Sequence, residues 1–107
     1  MAKLGSIDLV AGKDVKSGEE TSINVLFTWS DQSKEFELLE DLTRDKTGIK
    51  VTITKVGSFD TKAGTSKKKG EKTNCRMLLK YPDLSKKLKA SEDIKKGDKL
   101  SATIETL

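Results

Sequence analysis

Residues 49–81 place the tightest constraint on how this chain can fold. Ile49, Val51 and Ile53 alternate with Lys50, Thr52 and Thr54, and Cys75, Met77, Leu79 and Tyr81 alternate with Arg76, Leu78 and Lys80. A two-residue period is that of a strand with one face in a core, so both runs are predicted strands of one hairpin. Between them, Ser58 to Lys72 (SFDTKAGTSKKKGEK) has no apolar residue after Phe59 except Ala63. It carries Lys62, Lys67, Lys68, Lys69 and Lys72 against only Asp60 and Glu71. So long and polar a connection is uncommon in a compact domain unless it is functional or disordered, which predicts a flexible basic finger.

The length, 107 residues, sets the expectation of one domain, 1–107, with a small core. Charged residues make up 36% of the chain and hydrophobic residues 34%, so the surface is heavily charged. No apolar run approaches the ~18 residues of a membrane span, and residues 1–12 lack the apolar stretch of a secretory signal. The single cysteine, Cys75, falls on the inward side of its alternation and fits a reducing, cytoplasmic setting. Residues 1–45 hold five Lys/Arg against ten Asp/Glu, a balance of −5, while residues 46–107 hold sixteen against seven, a balance of +9. That division points either to an acidic or nucleic-acid partner or to halves that neutralise each other in the fold.

Along the chain, residues 5–11 are predicted as a first strand, with Ile7 and Leu9 inward, followed by a polar connector turning at Gly18. In residues 22–29, SINVLFTW, Ile23, Val25, Phe27 and Trp29 share one face, so this segment is predicted as a strand with Trp29 in the core; the alternative for Trp29 is a stacking platform for a base. Residues 33–45 are predicted as a helix capped by Ser33, with Phe36, Leu39 and Leu42, together with Leu38, inward and Glu35, Glu37, Glu40, Asp41 and Asp45 on a solvated face. Read as a strand instead, this segment would make the chain an all-β, immunoglobulin-like sandwich. Pro82 is expected to end a strand, Asp83 to cap a short helical turn with Leu84 and Leu88 inward, and residues 99–107, KLSATIETL, to form a last strand. No internal repeat is read. The expected fold is mainly β with one helix (α+β): a small five-stranded curled sheet or OB-like barrel with a long basic hairpin loop. The closing IKKGDKLSATI resembles the final strand of OB-type and related small barrels.

The absence of histidine removes Ser-His-Asp and Cys-His catalysis and histidine-containing metal sites, and one cysteine cannot build a thiolate cage. Gly64 to Thr73 departs from the phosphate-loop spacing and runs into a predicted strand instead of a helix N-terminus. Pro82-Asp83 with Asp93-Ile94-Lys95 formally matches the PD-(D/E)xK pattern of metal-dependent nucleases, but the second element sits in a solvated turn. No catalytic residue, metal ligand or cofactor is therefore expected. The predicted function is a non-enzymatic nucleic-acid-binding module, single strands favoured. Lys62, Lys67, Lys68, Lys69 and Lys72 would clamp phosphates, Arg76, Lys80, Lys86, Lys87 and Lys89 would extend the track, and Phe59 would serve as stacking residue. The alternative is a protein-interaction module, of the size of phage-type accessory, inhibitor or assembly proteins, docking through the acidic helix or the basic loop.

Overall fold

The computed structural model describes residues 2–107. Strand β1 (Lys3–Val10) is followed by β2 (Glu20–Thr21), two single-turn helices α1 (Ile23–Leu26) and α2 (Trp29–Gln32), then β3 (Phe36–Glu37) and β4 (Gly48–Ile53). The second half runs β5 (Gly57–Lys62), β6 (Lys72–Thr73), α3 (Cys75–Leu78), α4 (Tyr81–Leu84), β7 (Leu88–Lys89) and β8 (Lys99–Thr106). The same six elements thus occur twice in the same order, an internal duplication that the sequence reading did not find. Aligned on it, Gly5-Ser6 matches Gly57-Ser58, Asp8 matches Asp60, Ala11-Gly12 matches Ala63-Gly64, Gly18-Glu19 matches Gly70-Glu71, and Thr21 and Leu26 match Thr73 and Leu78. Residues 3–53 form one copy and 55–104 the other.

Strands of the two copies pair only with each other. The main sheet has the order β1-β8-β4-β5, antiparallel throughout, and β2 pairs with β7 and β3 with β6 in two short ribbons. Thr52 and Thr103, equivalent in the two copies, face each other between β4 and β8, so a local twofold axis passes between them. Loop hydrogen bonds repeat accordingly. Val15 and Ile94 exchange backbone bonds of 2.9 and 2.7 Å, and their equivalents Lys67 and Leu42 exchange bonds of 3.1 and 2.7 Å. The turn Lys16–Glu19 closes when the Lys16 N–H donates to Glu19 Oε1 at 2.7 Å, and Lys68 does the same to Glu71 Oε1 at 2.7 Å.

One face of the main sheet supplies the core: Leu4, Ile7 and Leu9 from β1, Ile49, Val51 and Ile53 from β4, Phe59 from β5, and Leu100, Ala102 and Ile104 from β8. The helical turns cover it with Ile23, Leu26 and Phe27 from the first copy and Cys75, Leu78 and Leu79 from the second. Both sets fall at i, i+3, i+4, the spacing of one helical turn. Caps fix these turns: Ser22 Oγ accepts the Val25 N–H at 3.3 Å, and Asn74 Oδ1 accepts the Met77 N–H at 2.9 Å.

The mainly-β class is as expected, but several elements differ. The eight strands lie in three antiparallel sheets, and none closes into a barrel among the described residues. Residues 22–29 and 75–81 are capped helical turns, not strands, because the i, i+3, i+4 set outweighs the two-residue alternation lying over it. Residues 33–45 contain no helix. Phe36 enters β3, and Leu38 and Leu42 are buried beneath backbone bonds to Gly70, Glu71 and Lys67, which leaves Leu39 exposed. Pro82 stands inside α4, in its first turn, where its missing N–H costs nothing. Leu88 pairs with Thr21 in a strand and is not part of a helix.

The basic finger is also different. Residues 57–62 are strand β5, joined to β4 by a tight turn with Lys55 at φ 66 and Gly57 at φ 127. Residues 67–71 are held to 38–42 on both sides: Leu42 N–H donates to Lys67 O, Gly70 N–H to Leu38 O, Leu38 N–H to Glu71 O, and Lys69 N–H to Asp41 Oδ1. Cleavage there requires these bonds to open. Limited trypsin digestion is therefore expected to cut no faster after Lys67, Lys68 or Lys69 than after Lys16, the counterpart of Lys68 in the first copy. Early, selective cutting at 67–69 would show the segment to be untethered.

Candidate binding face

The residues proposed from sequence to form one basic track are distributed over separate parts of the fold. Lys72 in β6 stands opposite Glu37 in β3, and Lys89 in β7 stands opposite Glu20 in β2, in two different ribbons. Each is a basic residue of the second copy facing an acidic residue of the first, so the charge division along the chain is matched across the swapped pairings. Lys80 bonds the Asp45 carboxylate, and Lys80, with Arg44 and Lys62 nearby, holds that carboxyl below its ordinary range. Lys62 lies at the end of β5, and Lys67, Lys68 and Lys69 follow in the tethered loop. Lys86 lies with its ammonium 5.4 Å from the centre of the Phe59 ring. Phe59 is only 6% exposed, so it packs in the core and offers no free face for stacking.

The aromatic assignments are inverted by the helical turns. Trp29 is 67% exposed and Tyr81 70%, although the sequence pattern places both inside. Each opens a single-turn helix at the same point of its copy, where its side chain projects outward while the neighbouring turn buries Leu26 or Leu78. Val25 and Met77, again equivalent, are also exposed. Trp29 and Tyr81 line the same shallow depression with Asn24, Phe27, Thr28, Gln32 and Arg76, and Val25 lines an adjoining one with Tyr81.

Arg76 organises the centre of this face. Its guanidinium carbon lies 3.6 Å from the centre of the Trp29 ring, a cation–π stack. One of its terminal nitrogens donates to Gln32 Oε1 at 2.8 Å and to Asn24 Oδ1 at 3.3 Å. Gln32 is itself fixed, since its Nε2 donates to Phe27 O at 2.9 Å. Arg76 thus has neutral acceptors and no carboxylate, which keeps its charge available at the surface.

Cys75 lies beneath this face, buried, and desolvation pushes its thiol up to about 11, so it stays protonated at neutral pH and serves as packing. Among the described residues, no three acidic, histidine or cysteine side chains cluster to hold a metal ion. No described helix is long and apolar enough to cross a membrane. The fold and face define a class: a duplicated, strand-swapped β-domain with an exposed aromatic–arginine surface on its helical side. No protein-family model, curated protein or solved structure matches the chain.

Arg76 was singled out from sequence, as a phosphate contact, and Trp29 was weighed as a stacking platform but assigned to the core, whereas Tyr81, Val25 and Met77 were not considered as surface residues. The signal for them was present in the caps Ser22 and Asn74 and in the repeated spacing of Leu26-Phe27 and Leu78-Leu79, which together mark two equivalent helical turns.

Proposed function

We propose that the protein is a non-enzymatic interaction module that docks another protein through the face formed by α1 to α4. The observation that carries this is the exposure of Trp29 and Tyr81 in one depression with Arg76, with exposed Val25 lining the adjoining depression beside Tyr81 and its equivalent Met77 also exposed. Trp, Tyr and Arg are the residue types that dominate binding energy at protein interfaces, and Met is enriched there. Leaving two large aromatics in water has no folding advantage, because their burial would contribute favourably. The acidic segment 33–45 and the basic loop, the docking elements expected from sequence, are tied to each other by backbone bonds, which favours the helical face instead.

A second reading, single-stranded nucleic acid, is favoured by one observation: the depression holding Trp29, Arg76 and Tyr81 is lined by no carboxylate, which suits bases stacked beside phosphates. A single experiment separates the two. A random peptide library is panned on the immobilised protein, and recovered peptides are competed with labelled single-stranded DNA at moderate salt. Peptides that bind the parent, fail on the Trp29→Ala/Tyr81→Ala double variant and resist the DNA support protein docking. Recovery of none, together with salt-sensitive DNA binding at the same aromatics, would replace it with the nucleic-acid reading.

A further inference from the structure

The two copies are not equally filled at this face. In the first copy the Trp29 ring is covered by the Arg76 guanidinium. The residue equivalent to Arg76 is Asn24 and the residue equivalent to Trp29 is Tyr81. Asn24 is too short to cover a ring as Arg76 does; its Nδ2 donates instead to Ser85 Oγ at 3.1 Å. Beside Tyr81 there is consequently an open depression of about 350 Å³, lined by Asn24, Val25, Tyr81 and Ser85 together with Glu20, Lys87 and the neighbouring Thr21 and Ser22. Its charged residues, Glu20 and Lys87, hold the sequence positions of Lys72 and Glu35 in the other copy, neither of which lines the depression at Trp29.

We infer that the depression at Tyr81 is a socket for an arginine side chain of the partner protein, which would stack on Tyr81 as Arg76 stacks on Trp29. The inference rests on the protein-docking reading and names its recognition chemistry. The Arg76–Trp29 pair shows the fit within the same molecule: a planar cation on an aromatic face beside a side-chain acceptor. In the second copy Leu84 replaces the acceptor Gln32, and the carboxylate of Glu20 is the acceptor at hand.

The test uses the intact protein and two short Gly/Ser peptides, one with a central arginine and one with citrulline, its uncharged isostere, in that place. Binding is followed by NMR through the ring signals of Tyr81 and the side-chain amide of Asn24. The arginine peptide is expected to shift Tyr81 and Asn24 in a saturable way and to leave the Trp29 indole, which has Arg76 already stacked on one face, nearly unmoved. Tyr81→Ala should weaken binding about tenfold and Tyr81→Phe should retain it. Asn24→Arg should abolish it, because the new guanidinium fills the socket from within, while the circular dichroism spectrum stays that of the parent fold. Equal binding of the citrulline peptide, shifts centred on Trp29, or no saturable shift would overturn the proposal. Panned peptides that need Trp29 and Tyr81 but contain no arginine would overturn the socket alone and leave the docking face standing.

Discussion

Leu78→Ala is expected to lower the stability of the whole chain by about 2–5 kcal/mol, the cost of a large buried cavity, and Leu26→Ala by a comparable amount. Both leucines are fully buried and hold the same position in the two copies. Each also anchors a chain crossing: Gly12 N–H donates to Leu26 O at 2.7 Å and Gly64 N–H to Leu78 O at 2.7 Å. A side chain at either glycine would press on that carbonyl, its Cβ lying 3.1 Å from the oxygen. Because every strand pairing joins one copy to the other, neither half keeps a sheet without its counterpart. Urea unfolding should therefore show one cooperative transition that either substitution moves, with coincident circular dichroism and fluorescence midpoints. Two separated transitions, one sensitive to Leu26→Ala and the other to Leu78→Ala, would mean that the copies fold independently.

The second large effect concerns binding. Replacing Trp29 or Tyr81 with alanine should weaken a docked peptide by about 2 kcal/mol, roughly thirtyfold, the loss typical of a central interface aromatic. The same changes should alter folding stability by less than about 0.5 kcal/mol, because neither ring belongs to the core. Replacing Lys67, Lys68 and Lys69 together, none of which lines the depression, should leave peptide affinity as it was. Peptide binding that survives both aromatic changes and falls with the lysine triple change would move the site to the loop.

The strands that alternate over their full length were legible in the sequence. Ile49, Val51 and Ile53, then Leu100, Ala102 and Ile104, and the inward pair Ile7 and Leu9 all lie where period two places them. The failure came in segments where two periods overlap. In SINVLFTW the set Ile23, Val25, Phe27, Trp29 fits a strand and the set Ile23, Leu26, Phe27 fits a helical turn, and only the capping by Ser22 decides. The same ambiguity recurs at Asn74 to Tyr81, so one misread period placed both exposed aromatics inside. Phe59 was misjudged in the opposite sense, because its polar neighbours suggested a loop whereas it is the inward residue of β5, opposite Val51. The duplication was obscured by charge. Glu20, Glu35 and Glu37 stand where the second copy has Lys72, Lys87 and Lys89, a divergence that serves the pairing of the copies at Glu20–Lys89 and Glu37–Lys72.

The exposed aromatic face can be tested without any partner, because Trp29 is the only tryptophan in the chain. Its fluorescence in the native protein, with acrylamide as quencher, reports directly on whether the indole meets water. The expected result is a red-shifted emission and a quenching constant approaching that of the urea-unfolded chain, with a blue shift and protection when a panned peptide is added. A blue-shifted native emission with little quenching would place Trp29 in the core and contradict the proposed docking face.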